Sequence, residues 1–313
     1  MSGHIQLPSE VIDISSWHPD DRFPVYPEGS REKSAWISPQ TPELPFLLGS
    51  HRYLFKHSSD RHPVQFWGEI VAYRLGCLMG IPVPPAYVAQ KSTDPRPAAL
   101  IEWFYRSDDQ TVNYEPGTVH MKRIIHDFDV KKGRQHNILT VLETLSEIDA
   151  DLISDMARIL VFDVLIGNTD RHQENWGILW RGIPSKPQLA PAFDNGTSLG
   201  HEVLDDKIPG YITDPQQTVH YIARGRHHMR WHQNRDEKIG HFELIEWLIK
   251  NYPNLKQELR ECVSFDLGLF NSWLCTLPTF PVPVVPTMER IQWIECLLCL
   301  RIERLRSVLA KKD

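Results

Sequence analysis

The chain of 313 residues is long enough for one large domain or for two lobes that share a cleft. Hydrophobic residues make up 41% and charged residues 24% of the sequence, which is the usage of a globular protein with a sizeable core. The net charge of -6 argues against a protein whose main task is to coat a polyanion, so we expect no direct nucleic-acid binding.

The cysteines and the first residues favour a cytoplasmic protein. The five cysteines are an odd, scattered set, which suits free thiols in a reducing compartment. Cys296 and Cys299 form a CxxC on a predicted helix, and we expect both to be buried core thiols. The start MSGHIQLPSEVIDISSW has no basic segment followed by an apolar run, and no stretch approaches the ~20 apolar residues of a membrane span. We therefore expect no membrane association.

The first third of the chain predicts a small sheet with one helix. The first fifty residues are rich in Pro, Ser and charge, which indicates coil with short strands. Residues 51–56 alternate as a strand does, and residues 64–80 have apolar residues at helical spacing up to Gly80 and Pro82. Residues 85–90 and 97–105 predict two more strands.

The remainder of the chain predicts mainly helices. After a polar loop at 107–117, residues 137–145 and 151–167 have the helical period. Residues 176–180 and 188–193 bracket a turn and predict a hairpin, and helices return after residue 215. Thr287 is the expected N-cap of the last helix. These elements predict an α+β fold with a strand-rich N-lobe (1–106) and a helical C-lobe (107–313), joined by a hinge at 101–107.

Three short polar side chains after the second long helix suggest a magnesium-nucleotide site. Asp170 and Asn175 lie in NTDRHQENW, and Asp194 follows the predicted hairpin in FDNGTS. Asn175 and Asp194 carry the hard oxygen ligands that Mg²⁺ prefers. Asp170 has the carboxylate needed to accept a proton from a substrate hydroxyl. The spacing of Asp170 and Asn175 is a weak pattern alone, and its weight comes from the preceding helix and the following hairpin.

The N-lobe offers the remaining parts of a phosphoryl-transfer site. Lys56 ends a predicted strand and Glu69 lies early in the next helix, which is how kinases pair a phosphate-binding lysine with a glutamate. Taken in isolation, a lysine at a strand end and a glutamate on a helix are usually solvated surface groups. We expect His172 to lie at the nucleotide site and to hold the loop through hydrogen bonds rather than to act chemically.

Six separated stretches of the sequence resemble the HipA family of bacterial serine/threonine kinases, the toxins of HipBA-type toxin-antitoxin systems. The resemblance covers roughly residues 25–200. It rests on YPEGSREKSAW, FK, GEIVAYRLGCLMGIPVPPA, AALIEWFY, LVFDVLIGNTDRHQEN and PAFDNG, which occur in the family's order. It implies a bilobal protein-kinase-like fold and an ATP-dependent serine/threonine protein kinase that uses Mg²⁺.

The resemblance also implies roles for individual residues. It assigns the phosphate-binding loop and the strand lysine to Gly29, Ser30, Arg31, Glu32, Lys33 and Lys56. The backbone of Glu102 and Phe104 matches the hinge that hydrogen-bonds adenine. Asp170 matches the catalytic aspartate, and Asn175 and Asp194 match the magnesium ligands.

The sequence departs from the family pattern at several places. The serine that the family autophosphorylates, three residues before the loop glycine, is Tyr26 here. Ser30 and Ser34 are the hydroxyls that remain for self-phosphorylation, and Arg31 replaces the usual glutamine. The length matches the shorter members of the family, which lack the separate N-terminal subdomain.

The resemblance further implies partners, and the residues leave alternative functions open. The implied substrate is a protein such as an aminoacyl-tRNA synthetase or another translation factor, and the implied partner is a helix-turn-helix antitoxin. A secreted effector that acts in a host cell is a second role of the same type. The stretch GNTDRHQEN is also similar to the loop of phosphoinositide kinases, so a lipid or small-molecule kinase is one alternative. A nucleotide-binding pseudokinase is another.

Two further features have structural as well as functional interpretations. Residues 221–232 (YIARGRHHMRWH) collect arginines and histidines, which predicts a solvated basic face or a surface for an acidic or phosphorylated partner. His228 and His232 have the one-face spacing of metal ligands on a helix, but without an adjacent glutamate or a third ligand. The aromatic residues near the proposed cleft are expected to be mainly core. They are Trp103, Phe104, Trp176 and Trp180.

Overall fold

The structure is a computed structural model that describes residues 3–22, 31–106, 109, 111–131 and 133–311. The strands are β1 (Ile12–Asp13), β2 (His18–Pro19), β3 (Lys33–Ile37), β4 (Arg52–Lys56), β5 (Ala86–Lys91), β6 (Asp94–Glu102), β7 (Val112–Pro116), β8 (Gly177–Arg181), β9 (Lys186–Leu189), β10 (Arg226–Arg230) and β11 (Lys238–Gly240). The helices are α1 (Trp67–Met79), α2 (Gly117–Ile124), α3 (Ile138–Ile148), α4 (Leu152–Ile166), α5 (Ile208–Thr213), α6 (Pro215–Arg224), α7 (His241–Asn251), α8 (Lys256–Cys262), α9 (Gly268–Leu274) and α10 (Met288–Ala310).

The first hundred residues form a six-stranded sheet with helix α1 packed on it. The strand order is β1-β5-β6-β4-β3-β2, and only the short β1 pairs in parallel, with β5. Alanines in the middle of β5 and β6, such as Ala89 and Ala98, are fully buried. Small residues at these positions let α1 pack close to the sheet, and α1 contacts both strands. Strand β4 thereby carries Lys56 at its end into the interior.

Helix α4 is the centre of the helical part of the molecule. Eleven of its fifteen residues are buried, and it contacts α3, α7, α8 and α10. A helix that is apolar on nearly all sides is stable only when neighbouring elements surround it. Truncating a fully buried leucine such as Leu160 to alanine costs about 2–5 kcal/mol in such a core. Helix α4 also contacts α1, so the strand-rich part and the helical part of the molecule meet at this helix.

Sequence analysis predicted most of these elements, and the structure corrects three expectations. The polar segment predicted as a loop at 107–117 contains strand β7, which pairs with β8 and gives a three-stranded sheet with β9. The expected strand at 97–105 ends at Glu102. His228 lies in strand β10 rather than on a helix, so the helical spacing to His232 has no counterpart in the structure.

The predicted burial of the CxxC cysteines is also wrong. Cys299 is exposed and Cys296 is partly exposed on α10, whereas the neighbouring Leu297 and Leu298 face the core. The period of α10 places the leucines inside, and the cysteines lie on the flank of the helix. The predicted N-cap of α10 is confirmed, because the Thr287 side chain accepts a hydrogen bond from the Arg290 N–H at 3.1 Å. Within the described residues, no helix combines the length and apolar character of a membrane span.

Candidate active site

Lys56 and Glu69 form the ion pair that their positions predicted. Lys56 Nζ lies 2.9 Å from Glu69 Oε1 and 2.6 Å from Asp194 Oδ1. Lys56 and Glu69 are both 3% exposed, so the lysine charge is held in the interior by two carboxylates. Strand β4 supplies the lysine, the first turn of α1 supplies the glutamate, and the segment after β9 supplies Asp194. The three groups therefore link the sheet, its helix and the C-terminal part of the molecule.

Arg31 is a second cation at the same carboxylates. Its Nη2 lies 3.3 Å from Glu69 Oε1 and 3.0 Å from Asp194 Oδ1. Its Nη1 is buried and has no hydrogen-bond acceptor among the described residues. An unsatisfied buried donor costs about 1–3 kcal/mol, more when charged. The Arg31 side chain lines a cavity, and a guanidinium with a donor to spare is suited to bind an anionic oxygen such as that of a phosphate.

Asp194 is ionised and conformationally constrained. Burial raises the pKa of its carboxyl, but the positive charges of Lys56 and Arg31 outweigh that effect and hold the pKa well below its usual value. Its φ of 56° lies in the left-handed region, which costs a non-glycine residue about 1 kcal/mol or more. The next residue fixes this conformation, because the Asn195 N–H donates to Glu69 Oε2 at 2.9 Å.

The loop after α4 carries Asp170 and Asn175. Helix α4 ends at Gly167, whose φ of 68° is readily adopted only by glycine. The Asp170 N–H donates to Asn168 Oδ1 at 2.9 Å, and Asn175 Nδ2 donates to the Asp170 carbonyl at 2.8 Å. The amide group of Asn175 is thus oriented by its nitrogen, which leaves its side-chain oxygen for a cation. Burial raises the pKa of Asp170, although nearby positive charges such as Lys238 oppose the shift.

Arg171 holds this loop in place and was not identified from the sequence. It is fully buried and pairs with Asp163 of α4, with Nη2 2.7 Å from Oδ1 and Nε 3.0 Å from Oδ2. It also donates to the carbonyls of Asn175 and Phe193 and, at 2.8 Å, to Asn195 Oδ1. One side chain therefore joins the helix, the Asp170 loop and the Asp194 segment. The signal in the sequence was an aspartate inside the apolar run LVFDVLIG, which needs a buried partner.

His172 makes hydrogen bonds within the loop. Its N–H donates to the Asp170 carbonyl at 2.8 Å, and its Nδ1 accepts from the Glu174 N–H at 3.1 Å. The acceptor role of Nδ1 defines a neutral tautomer with the proton on Nε2. Both bonds lie within the loop, and the His172 side chain also lines the cavity described next.

Most of these side chains line one cavity of about 480 Å³ between the sheet and the helical part. The charged and polar lining includes Arg31, Lys33, Lys56, Asp170, Asn175 and Asp194. The apolar and aromatic lining includes Leu54, Pro84, Ile101, Trp103, Phe104, Tyr105, Tyr114 and Phe193. A site with an apolar lining and a cluster of cations and carboxylates suits a ligand with a planar ring and a polyanionic tail. A nucleoside triphosphate has this chemistry.

The hinge residues line the same cavity. The Glu102 N–H donates to the Pro85 carbonyl at 2.8 Å, and the Phe104 carbonyl accepts from Arg181 Nη2 at 3.2 Å. The Phe104 N–H has no hydrogen-bond acceptor within the described ranges of the chain. Of the two predicted hinge residues, Phe104 therefore offers a free donor to a ligand. Burial raises the pKa of the Glu102 carboxyl to about 7.

Sequence reasoning missed part of the aromatic lining. Phe193 stacks on Phe104 with ring centroids 5.2 Å apart, and Tyr114 meets Phe104 edge-on at 5.4 Å. Tyr114 belongs to strand β7, which was predicted as a loop, and alternation in TVNYEP was the available signal. Of the four aromatic residues expected to be core, Trp176 is fully buried, whereas Trp103, Phe104 and Trp180 remain partly exposed.

Other predicted residues lie outside this arrangement. Glu32 is not part of the cavity lining, and its Oε2 accepts from Arg96 Nη2 at 2.9 Å near the surface. Ser34 Oγ accepts a hydrogen bond from Trp36 Nε1 at 2.8 Å. Gly29 and Ser30, like Tyr26, lie outside the described residues.

The donors at the site are compatible with a nucleotide-bound magnesium ion. In the described part of the chain, no group of three or more His, Cys, Asp or Glu residues is arranged to hold a metal. Mg²⁺ at nucleotide sites usually takes one or two ligands from the protein and the rest from phosphates and water. The Asp194 carboxylate and the Asn175 amide oxygen, both in the cavity lining, are the groups that could supply those ligands.

Comparison with known families and sequences identifies relatives of the chain. Residues 28–261 match the family model described as HipA-like C-terminal domain. A Sinorhizobium fredii protein described as "Putative kinase Y4mE" is 23% identical over 176 residues, covering 53% of this chain and 40% of that protein. The serine/threonine-protein kinase CtkA of Helicobacter pylori is 26% identical over 109 residues, covering 31% of this chain and 32% of that protein. The matches thus span well under half the length of these curated relatives.

Solved structures show where the fold recurs. The crystal structure of the Helicobacter pylori proinflammatory kinase CtkA superposes with a TM-score of 0.75 at 15% identity, over 97% of this chain and 99% of that one. HipA from a Shewanella oneidensis complex of HipA, HipB and operator DNA gives a TM-score of 0.54 at 14% identity, over 94% of this chain and 69% of that one. The predicted bilobal, kinase-like α+β fold is thereby confirmed.

Proposed function

The chain belongs to the family of HipA-like C-terminal domains, and from that premise we propose that it is an ATP-dependent serine/threonine protein kinase. The observation that carries the proposal is the joint position of Lys56, Glu69, Asp170 and Asp194. The lysine-glutamate ion pair is formed and touches Asp194, and Asp170 lines the same cavity. A phosphoryl-transfer site needs these parts together, because catalysis consists mainly of positioning and charge neutralisation.

The cavity orients ATP because its apolar part binds the adenine ring and its charged part binds the phosphates. The adenine ring lies between the apolar side chains of Leu54 and Ile101 and the aromatic residues, and the free N–H of Phe104 donates to it. Lys56 binds the α and β phosphates, and Arg31 turns its unpaired Nη1 to a phosphate oxygen. Asn175 and Asp194 would hold Mg²⁺, which would neutralise charge at the phosphates when bound.

Asp170 is the base for the substrate hydroxyl. The hydroxyl oxygen of a substrate serine or threonine forms the new bond to the γ-phosphorus as the bond to the bridging oxygen of ADP breaks. The hydroxyl proton passes to the Asp170 carboxylate. Burial raises the pKa of this carboxyl, which makes it a better proton acceptor than an exposed aspartate. The Asp170 N–H donates to Asn168 Oδ1 and the Asp170 carbonyl accepts from Asn175 Nδ2, and these two bonds hold its backbone during the transfer.

The proposed partner, substrate and place of action are inferred from the relatives of the chain. The Shewanella HipA structure contains HipB and operator DNA, and a helix-turn-helix antitoxin is the corresponding partner here. The protein substrate is a translation factor of the aminoacyl-tRNA synthetase type, and the place of action is the bacterial cytoplasm or, for a secreted effector, a host cell. Self-phosphorylation uses Ser30 or Ser34, the hydroxyls in or beside the phosphate-binding loop.

The test is transfer of labelled γ-phosphate from ATP with magnesium, both to the protein itself and to a bacterial lysate. The wild type is expected to label a protein band, and Asp170→Asn is expected to lower the rate by about 10²–10⁴-fold while retaining nucleotide binding. Asp194→Asn is expected to weaken magnesium-dependent nucleotide affinity instead. Mass spectrometry of the labelled band identifies the acceptor residue.

Other results would favour other functions. Full transfer by Asp170→Asn would remove Asp170 as the base, and unchanged magnesium-dependent affinity in Asp194→Asn would remove Asp194 from the metal site. ATP consumption without a labelled protein would favour a small-molecule or phosphoinositide kinase. Nucleotide binding without any turnover would indicate a pseudokinase.

A further inference from the structure

A second cavity, of about 490 Å³, shares the catalytic loop with the nucleotide cavity. Gly167 and Thr169 line the second cavity, whereas Asp170 and His172 line the first. The remaining lining comes from helices α5 and α6, the start of β10 and β11, and α10. The boundary between the two cavities thus falls between the adjacent residues Thr169 and Asp170. The second cavity therefore opens next to Asp170, the proposed base for the substrate hydroxyl.

Three exposed cations line this cavity without a direct ion pair in the described part of the chain. Arg224, Arg226 and Lys238 are exposed, and none of them forms an ion pair or side-chain hydrogen bond with any described residue. Arg301 closes the wall from α10, where it is buried and donates to the Val164 carbonyl at 2.8 Å. Glu202 is the carboxylate in the lining, and it accepts a hydrogen bond from the Tyr221 hydroxyl at 2.7 Å.

A local excess of positive charge is unusual in a protein whose net charge is negative. The chain has a net charge of -6, yet four cations face one carboxylate in this cavity. Like charges that approach each other without partners destabilise the folded state, and their attraction for a bound anion offsets that cost. A guanidinium is also the group best suited to bind carboxylate or phosphate oxygens in pairs.

Lys238 connects the cavity to the catalytic centre. It lines the second cavity, and its charge acts on the Asp170 carboxyl from that side. An extended peptide advances about 3.3–3.6 Å per residue. A substrate whose hydroxyl lies at Asp170 therefore brings side chains a few residues away to the second cavity.

We propose that this cavity is a substrate subsite, and we name it the basic subsite (Arg224, Arg226 and Lys238). It binds an anionic side chain, a phosphate monoester or a carboxylate, a few residues from the serine or threonine that is phosphorylated. The inference rests on the proposed kinase function, because that function makes the molecule that carries the anion a protein substrate. Acceptor serines or threonines in acidic or already phosphorylated segments are the preferred substrates.

The first test measures binding without catalysis. Three fluorescein-labelled peptides share one sequence and carry phosphoserine, glutamate or alanine at the central position, and their affinities are measured by fluorescence anisotropy. The double variant Arg224→Ala/Arg226→Ala removes two cations of the basic subsite. The matched control Arg61→Ala/Arg235→Ala removes two exposed arginines that do not line this cavity.

The expected result is specific for the anionic peptides. Loss of two charge-assisted contacts raises their Kd about tenfold or more in the subsite variant, while the control variant matches the wild type. The logarithm of the wild-type affinity falls with the logarithm of salt concentration, and this slope becomes shallower in the subsite variant. Loss of the phosphopeptide alone identifies a phosphate site, and loss of both anionic peptides identifies a general anion site.

Equal affinities of the subsite variant and the control for every peptide would overturn the proposal, as would binding of the alanine peptide as tight as that of the anionic ones. A second measurement follows transfer to casein, to dephosphorylated casein and to myelin basic protein. The subsite variant is expected to raise KM for the acidic casein substrates with little change in kcat, and to leave the basic substrate unaffected. Absence of transfer by the wild type would contradict the kinase function, whereas the peptide affinities would still decide the subsite.

Discussion

The ionisation of the Glu102 carboxyl depends on its burial at the hinge. It ends strand β6 at the hinge, and its half-buried carboxyl lies where burial raises the pKa to about 7. The usual value in an unfolded chain is near 4.5, so folding favours the protonated form. The unfolded state releases this proton more readily than the folded state. Folding stability therefore falls as the pH rises from about 4.5 to about 7, and it changes little outside that window.

We predict that Glu102→Gln stabilises the protein at pH 8 by about 2 kcal/mol and has little effect at pH 4. Glutamine keeps the shape of the protonated acid and cannot ionise. The measurement is urea unfolding at both pH values, with the exposed Glu43→Gln as the matched control. A difference from the wild type that is the same at pH 4 and pH 8 would show that the Glu102 carboxyl does not change its ionisation on folding. Because the hinge contact uses backbone atoms, nucleotide affinity should be retained.

The structure shows contacts of Arg31 that the sequence did not predict. The sequence placed it in a phosphate-binding loop as a replacement for glutamine. In the structure its Nη2 contacts Asp194 while its Nη1 is buried without an acceptor. Arg31 and Lys56 both contact Oδ1 of Asp194, which leaves its Oδ2 without a hydrogen bond from the described residues.

At the scale of elements, helix α4 and the loop that follows it act as one unit. The Asp163–Arg171 pair is fully buried; burial raises the pKa of the Asp163 carboxyl, but the charge and hydrogen bonds of Arg171 outweigh that effect and lower the pKa to about 2. His227 adds a contact to the same carboxyl, with Nε2 3.4 Å from Oδ2. The depressed pKa means that this carboxylate stabilises the fold above about pH 4. That contribution is lost as the pH falls towards 2.

We predict that Asp163→Asn destabilises the protein by about 3 kcal/mol or more, because it leaves the Arg171 charge buried without a counter-ion. Transfer activity should also fall, since Arg171 positions both the Asp170 loop and the Asp194 segment. Denaturant unfolding and γ-phosphate transfer measure the two effects. Lys311→Ala, which removes an exposed ion pair to Glu246, is the control and should cost less than about 1 kcal/mol. Equal losses in the two variants would contradict this assignment.

At the scale of the whole molecule, the nucleotide cavity joins the sheet and the helical part. Lys56 and Arg31 come from the N-terminal side, and Asp170, Asn175 and Asp194 come from the C-terminal side. A ligand that contacts both sides binds only when they are correctly apposed. Its binding free energy is therefore added to the stability of the complete fold.

We predict that ATP with magnesium, at about 100 times its Kd, stabilises the wild type by about 2.7 kcal/mol and raises Tm by about 5 °C. Asp194→Asn should show a much smaller shift at the same concentrations, because it lacks the charged metal ligand. Differential scanning fluorimetry with ATP, with magnesium alone and with both measures the effect. A rise in Tm with magnesium alone that equals the rise with both would contradict a joint nucleotide-metal site.

The local elements and the separate site residues were accessible from the sequence. The apolar periods that predicted α1, α3 and α4, and the hairpin of β8 and β9, depend on neighbours along the chain. Strand β7 was not predicted, because its polar sequence becomes a strand only through pairing with β8. The CxxC was misassigned for a similar reason, since the packing of α10 decides which side of the helix is covered.

The sequence by itself determined the two-part architecture, the family and the identity of the residues with the right chemistry, because helical periods, caps and motifs are local properties. The tertiary structure alone decided that Lys56 meets Asp194 as well as Glu69, that Arg171 ties three segments together, and that the basic subsite adjoins the catalytic loop. These are contacts between residues far apart in the chain. Their existence depends on how whole elements pack, and packing is a property of the complete fold that no short stretch of sequence encodes.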